Sequence, residues 1–172
     1  LLSLESEKDY RAPRLIDHVG TKNPEYLQMT AVTLETKTGA ILAQIGGRKY
    51  EQSRFDRSAT ARRDLGTAFE PFVAAAAAER GKPIYVGSPV STGRAVGPDG
   101  VERIARRCGL TGPFLLTEDL FRGAVSATPM EMAIGLSTLA NQGSRPRPYM
   151  IREIRNSDDQ IVHSTGPLFF PA

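Results

Sequence analysis

The run Leu27-Gln28-Met29-Thr30-Ala31-Val32-Thr33-Leu34, Glu35-Thr36-Lys37-Thr38-Gly39, Ala40-Ile41-Leu42-Ala43-Gln44-Ile45-Gly46-Gly47 decides how this chain is read. Its two outer parts are β-prone and partly alternate apolar with polar residues, the pattern of strands covered on one face. Between them Gly39 supplies the positive φ that a tight connection needs. The segment reads as a hairpin ended by Gly46-Gly47. Upstream, residues 1–26 are polar and mixed, with Pro13, Gly20 and Pro24 as punctuation and one short helix expected from Arg14 to Val19. Downstream, an Arg-rich polar loop runs to Gly66.

Helical signals follow. Thr67-Ala68-Phe69-Glu70 opens a helix expected to reach about Arg80, where Gly81 and Pro83 stop it. Its small side chains from Val73 to Ala78 suit close packing inside a domain. Residues 81–97 read as loop. From Gly100 to Gly109 the period predicts an amphipathic helix, with Val101, Ile104, Ala105 and Cys108 facing in and Arg103, Arg106 and Arg107 facing out. Thr128-Pro129-Met130-Glu131 starts another helix that ends near Asn141-Gln142-Gly143, with Pro at the first position and Glu at the third. Tyr149 to Arg155 and Gln160 to Ser164 read as a late hairpin about Ser157-Asp158-Asp159. Hairpin, buried helix, further helices and late hairpin make an α+β pattern without βαβ repetition.

Composition sets bounds on function. The chain has 172 residues, enough for one domain with its own core. No apolar run approaches the roughly 18–20 residues of a membrane span, and Glu5, Glu7, Lys8 and Asp9 break up any secretory leader. Leu1 in place of Met suggests a piece of a longer protein. Lys and Arg number 22 against 19 Asp and Glu, a net +3. The Arg54, Arg57, Arg62, Arg63 and Arg103, Arg106, Arg107 clusters lack the stacking aromatics of a nucleic-acid surface, and they read as a solvated face with structural ion pairs. An Arg-rich polyanion binder is the reading they leave open. Cys108 is the lone cysteine, and His18 and His163 lie far apart, so neither an internal disulfide, a metal site nor a cofactor is expected.

Three segments, in order, resemble the transpeptidase domain of class A penicillin-binding proteins. The first runs from Thr38-Gly39 through Gly46-Gly47-Arg48 and Phe55-Asp56-Arg57 to Gly66-Thr67-Ala68-Phe69-Glu70-Pro71-Phe72. The second is Val96-Gly97-Pro98-Asp99 with Ile104-Ala105-Arg106-Arg107-Cys108-Gly109. The third is Gly123 through Thr128-Pro129-Met130-Glu131 and Asn141-Gln142-Gly143 to Ile151. The resemblance covers about Tyr26 to Ser164. It implies a transpeptidase-like domain over 27–166, a lead-in segment at 1–26 and a tail at 167–172. It also implies an antiparallel sheet, five-stranded in the family and incomplete here, between packed helices. The implied location is extracytoplasmic, on the periplasmic side of a bacterial cell envelope. A membrane anchor would lie upstream of Leu1.

The family's chemistry uses three elements. In S-x-x-K, Ser attacks the acyl donor and Lys, one helical turn on, takes its proton. Thr67 and Glu70 stand at these two places. Thr67 keeps the hydroxyl but crowds it with a β-methyl, and Glu70 reverses the charge of the base. The structural alternative, preferred here, is a capping box in which Thr67 caps the helix and Glu70 reaches back. The S-x-N element should lie between Gly81 and Ala95, an interval far shorter than in the family. Ser91-Thr92-Gly93 is the nearest candidate there. Lys37-Thr38-Gly39 spells K-T-G but precedes the nucleophile helix, and Ser164-Thr165-Gly166 is the only late echo. The expectation is a catalytically degenerate domain with a structural or docking role in peptidoglycan synthesis, contacting peptidoglycan or a wall-synthesis protein. The alternative is a divergent D,D-transpeptidase or carboxypeptidase acting on stem peptides through Thr67.

Overall fold

The computed structural model describes residues 2–18 and 25–171. Helix α1 (Leu2–Glu5) and a 3-10 turn at Leu15–Asp17 precede the hairpin of β1 (Ala31–Leu34) and β2 (Ile41–Ile45). The end of the helix expected over 14–19 falls at Val19, outside the described residues. β1 and β2 pair antiparallel, Ala31 with Ile45 and Thr33 with Ala43, with a bulge between Thr33 and Leu34. Gly39 adopts φ 81°, and a Cβ there would lie 2.7 Å from the Arg147 carbonyl, so both the turn and its neighbour demand glycine. The Thr38 hydroxyl donates to the Glu35 carboxylate and accepts from the Ala40 N–H at 3.1 Å. Lys37-Thr38-Gly39 is turn chemistry.

Helix α2 (Glu70–Glu79) lies at the centre, entered through a 3-10 turn at Gly66–Phe69. α3 (Pro89–Arg94) and α4 (Pro98–Arg107) pack against it, joined by a 3-10 turn at Glu118–Arg122. Phe69, Phe72, Val73, Ala76 and Ala77 form one side of the core. Val101, Ile104, Ala105 and Cys108 of α4 form the other, as their spacing predicts. Outside, Arg103 and Arg107 pair with Glu79, and Arg106 pairs with Glu102 at 2.8 Å. The second arginine cluster is therefore an ion-paired solvated face. Burial pushes the Cys108 thiol up to about 11, so the sulfur packs as a neutral, apolar group.

α3 falls in the 81–97 stretch that its glycines and prolines mark as loop. It is six residues long, and Gly93 in it lies flat against the Phe121 ring. Tertiary contact, rather than propensity, makes this helix.

α5 (Pro129–Ala140) starts with a complete capping box. Thr128 is extended at φ −84°, ψ 157°, its hydroxyl accepts from the Glu131 N–H at 3.1 Å, and its own N–H donates to Glu131 at 2.8 Å. The remaining strands form short antiparallel pairs: β3 (Arg63–Asp64) with β4 (Ser126–Ala127), β5 (Ser144–Pro146) with β8 (Phe169–Pro171), and β6 (Glu153–Arg155) with β7 (Ile161–Ser164). The Asn156 side chain closes the late hairpin by accepting from the N–H groups of Asp158 and Gln160, so Ser157-Asp158-Asp159 is a turn. Among the described residues the β-structure is four two-stranded antiparallel sheets packed with helices, an α+β architecture with no closed sheet.

The first residues are tied to the hairpin end. Glu5 pairs with Arg48, both side chains under a tenth exposed, and the Arg48 guanidinium also lies over the Tyr26 ring at 5.4 Å. The Arg48 hydrogen bond holds the Glu5 carboxyl below its ordinary value.

Candidate functional site

The start of α2 is positioned by backbone. Leu65 N–H donates to Val125 at 3.0 Å and Gly66 N–H to Gly123 at 3.2 Å, continuing the β3–β4 pairing into the 3-10 turn. Gly123 has φ 81°, and a Cβ there would come within 2.1 Å of the Gly66 carbonyl. This close backbone contact fixes the height at which Thr67 and Glu70 leave the core. Phe69 between them is fully buried.

Thr67 and Glu70 do not form the expected capping box. The N-cap of α2 is Phe69, helical at φ −83°, ψ −17°, with no side-chain hydrogen bond. A cap residue needs extended backbone so that its side chain can fold back on the N–H groups. Here the chain is already turning at Gly66, so Thr67 sits within the helical run. Thr67 is exposed and Glu70 half-buried. Among the described residues neither side chain makes a hydrogen bond or ion pair.

Glu70 lines a cleft of about 180 Å³ with Val73 and Ala74 of α2, Ile84, Tyr85, Val86 and Gly87 of the following segment, and Pro89 and Thr92 of α3. Glu70 is the one charged member. The Thr92 hydroxyl is committed, accepting from the Tyr85 N–H at 2.9 Å and donating to the Ser88 carbonyl at 3.1 Å. The Ser88 hydroxyl donates to that of Ser91 at 2.7 Å. Ser91-Thr92-Gly93 thus lies on α3, with Thr92 facing the cleft, Ser91 exposed and Gly93 turned to the core. The amino acids of α3 that reach the Glu70 cleft are Pro89 and Thr92, a contact that a loop reading of 81–97 had no means to reveal.

Two larger clefts lie elsewhere. One of about 480 Å³ runs from Gln44–Gly47 to Tyr50, Arg54 and Met150. There Arg54 stacks over Tyr50 at 5.5 Å. Asp56 accepts from the Ser58 hydroxyl, the Ser58 N–H and Gln44, and these bonds, the hydroxyl foremost, hold its carboxyl below the ordinary range against the effect of burial. The other, of about 530 Å³, is lined by residues 147–151, 163–166 and 168, including Ser164-Thr165-Gly166. It shares no lining residue with the Glu70 cleft, so the late echo of K-T-G and the Thr67/Glu70 pair belong to different surfaces. Among the described residues no group of three His, Cys, Asp or Glu is placed to hold a metal, and no helix is long and apolar enough to cross a membrane.

A central helix entered through Gly66-Thr67, helices packed around it and a β-hairpin ending in Gly46-Gly47-Arg48 define a penicillin-binding-protein, transpeptidase-like fold. No family model matches the chain. It is 26% identical over 185 residues to penicillin-binding protein 1A of Pseudomonas aeruginosa, covering 81% of this chain and 22% of that protein. The corresponding Escherichia coli protein is also 26% identical, over 79% of this chain and 21% of its own length. Among solved structures, penicillin-binding protein 1A from Haemophilus influenzae matches with a TM-score of 0.74 at 24% identity, covering 83% of this chain and 28% of that one. Penicillin-binding protein A from M. tuberculosis, as its imipenem acyl-enzyme complex, matches at 0.64 and 18% identity. The chain is related to this fold family over most of its own length, and it spans about a fifth of the curated relatives it matches.

Proposed function

We propose that this is a catalytically degenerate penicillin-binding-protein transpeptidase-like domain with a structural or docking role in peptidoglycan synthesis. The observation that carries the reading is Glu70. Acyl transfer by a hydroxyl needs a base that takes its proton and a positive or hydrogen-bonding surround that stabilises the oxyanion. At the base position stands an anion in a cleft whose other lining side chains are apolar apart from Tyr85 and Thr92. Thr92 has its hydroxyl already engaged. A carboxylate beside the reacting carbonyl opposes the negative charge that develops there, and it repels the terminal carboxylate of a stem peptide. The late echo of K-T-G, Ser164-Thr165-Gly166, lines a different cleft.

On this reading residues 27–166 carry the transpeptidase-like domain, with 1–26 as lead-in and 167–172 as tail. The domain works outside the cytoplasm in the cell envelope of a bacterium, held there by an anchor elsewhere in its polypeptide, and it contacts peptidoglycan or a wall-synthesis protein. One observation favours the second reading, an active divergent D,D-transpeptidase or carboxypeptidase. Thr67 is exposed and its hydroxyl is not spent on a cap, and Glu70, three residues on, can serve as a general base. The two readings separate in a turnover assay. With a pentapeptide stem donor and an amine acceptor, the chain should release no more D-alanine than a protein-free control. Release that disappears in Thr67→Ala establishes the second reading.

A further inference from the structure

The cleft of about 530 Å³ opens between two short ladders, where the chain segments that form them part. At one end the Arg147 N–H donates to the Leu168 carbonyl at 2.8 Å, extending β5–β8; at the other the Thr165 N–H donates to the Arg152 carbonyl at 2.7 Å, extending β6–β7. Between these bonds lie residues 148–151 on one side and only 166–167 on the other. Pro148 and Pro167 have no N–H to give. Tyr149 is drawn off to the first hairpin, donating to the Gly39 carbonyl at 3.2 Å and accepting from the Ile41 N–H at 2.9 Å. The longer side therefore bows away from the shorter, and the N–H groups of Met150, Ile151 and Gly166 donate to no acceptor among the described residues.

Its walls are cationic and apolar at once. Residues 144–152 and 160–172 include Arg145, Arg147, Arg152 and His163 and no Asp or Glu. Arg147, which lines the cleft, and Arg152 beside it have no ion pair among the described residues, and the adjacent Glu153 is taken by Arg155 at 2.8 Å. Of the lining side chains, Met150 is 66% exposed, Ile151 58% and Leu168 46%; Val162 and Phe169, next in the chain to His163 and Leu168, are exposed as well. Clustered apolar surface rimmed by charge is the signature of an interaction face. We propose that this cleft docks an extended segment of a partner protein in which carboxylate side chains alternate with aliphatic ones. A carboxylate would meet Arg147 as a bidentate, charge-assisted pair. The aliphatic side chains would cover Met150, Ile151 and Leu168, and the idle N–H groups are donors for the carbonyls of an extended chain. A second copy seated face to face would set arginine against arginine, and a basic segment is refused for the same reason.

The test is an NMR titration of the full chain with acetylated hexapeptides that alternate glutamate with leucine, lysine with leucine, or glutamate with serine. The glutamate–leucine peptide should shift the amides of residues 149–151 and 163–166 and bind about tenfold more tightly than either of the others. Arg147→Ala and Met150→Ser should each weaken it about fivefold, while Arg103→Ala, on the ion-paired face of α4, should leave it unchanged. Both cleft positions are exposed, so the variants should keep the wild-type circular dichroism spectrum. Equal affinity for the glutamate–leucine and lysine–leucine peptides, or unchanged binding by the Arg147→Ala, Met150→Ser double variant, overturns the proposal. So does sedimentation with phosphatidylglycerol vesicles that the glutamate–leucine peptide does not displace, which would give the face to a lipid surface. Self-association that broadens the same amides would give it to a second copy and overturn it too. The inference rests on the docking role proposed above and not on the loss of acyl transfer. Failure of peptide binding removes this face and leaves the non-catalytic reading of Thr67 standing, whereas turnover at Thr67 overturns that reading and leaves the peptide affinities as measured.

Discussion

Gly93→Ala should lower the thermal midpoint of the domain by roughly 6–12 °C, because about 3 kcal/mol of overpacking acts on a chain of this size. Two effects oppose each other at this position. Alanine is the better helix former by about 1 kcal/mol, and α3 is a short helix with little propensity of its own. Against that, an added Cβ would lie 2.3 Å from two ring carbons of Phe121. Phe121 is 2% exposed, so its ring has no free space to swing into. The clash is larger than the propensity gain and the net sign is destabilising. Gly166→Ala is the matched control: nothing lies within 4 Å of its added Cβ, and its midpoint should stay within about 1–2 °C of wild type. A Gly93→Ala midpoint equal to wild type would mean that α3 does not rest on Phe121.

Glu131→Ala should cost about 2–3 kcal/mol, since three partners lose the same carboxylate. The Thr128 N–H donates to it at 2.8 Å as one arm of the capping box. The Thr111 hydroxyl donates to its other oxygen, and Arg62 pairs with it at 3.0 Å. The Arg62 side chain is a third exposed, which brings the loss below that of a fully buried pair. Arg62 keeps its bonds to the Gly112 and Ser126 carbonyls, so the loop before α2 should loosen without detaching. The pH dependence follows from the same group. Burial pushes the Glu131 carboxyl up, but Thr111, Thr128 and Arg62 together outweigh it and hold the group below its ordinary 4.5. A depressed folded-state value means that the contribution is complete above pH 4.5 and disappears as pH falls through the lower, folded value. The stability difference between wild type and Glu131→Gln, from urea titrations at successive pH values, should therefore be level near neutrality and shrink below 4.5. A difference that grows on acidification would contradict this assignment.

The elements that can be read from the sequence are those whose local chemistry is sufficient. The hairpin is visible because Gly39 marks its turn and both strands have the right texture. Helix α5 is visible because Thr128, Pro129 and Glu131 spell a start that is built as spelled. The same letters fail at Thr67 and Glu70, where a 3-10 turn begun at Gly66 removes the extended backbone a cap requires. That turn is imposed by the Gly66–Gly123 contact, between residues 57 positions apart, and no local pattern records it. Helix α3 is hidden for a related reason. Val90, Thr92 and Gly93 are weak helix formers, and the helix exists through Phe121. β8 carries Pro171 yet pairs with β5, which carries Pro146; a two-stranded ladder with open edges tolerates the missing donors that a central strand would not. The candidate site divides in the same way. Its two chemical positions follow from the order of the matching segments, whereas the cleft around Glu70 depends on the 84–92 segment folding back along α2.

The central claim is that this scaffold keeps the transpeptidase fold without its acyl transfer. Intact-mass spectrometry after incubation with excess benzylpenicillin tests it most directly, because an acyl-enzyme adds the whole β-lactam to one side chain. The account predicts an unchanged mass for the wild-type chain. A stoichiometric adduct that maps to Thr67, and is absent from Thr67→Ala, would contradict it.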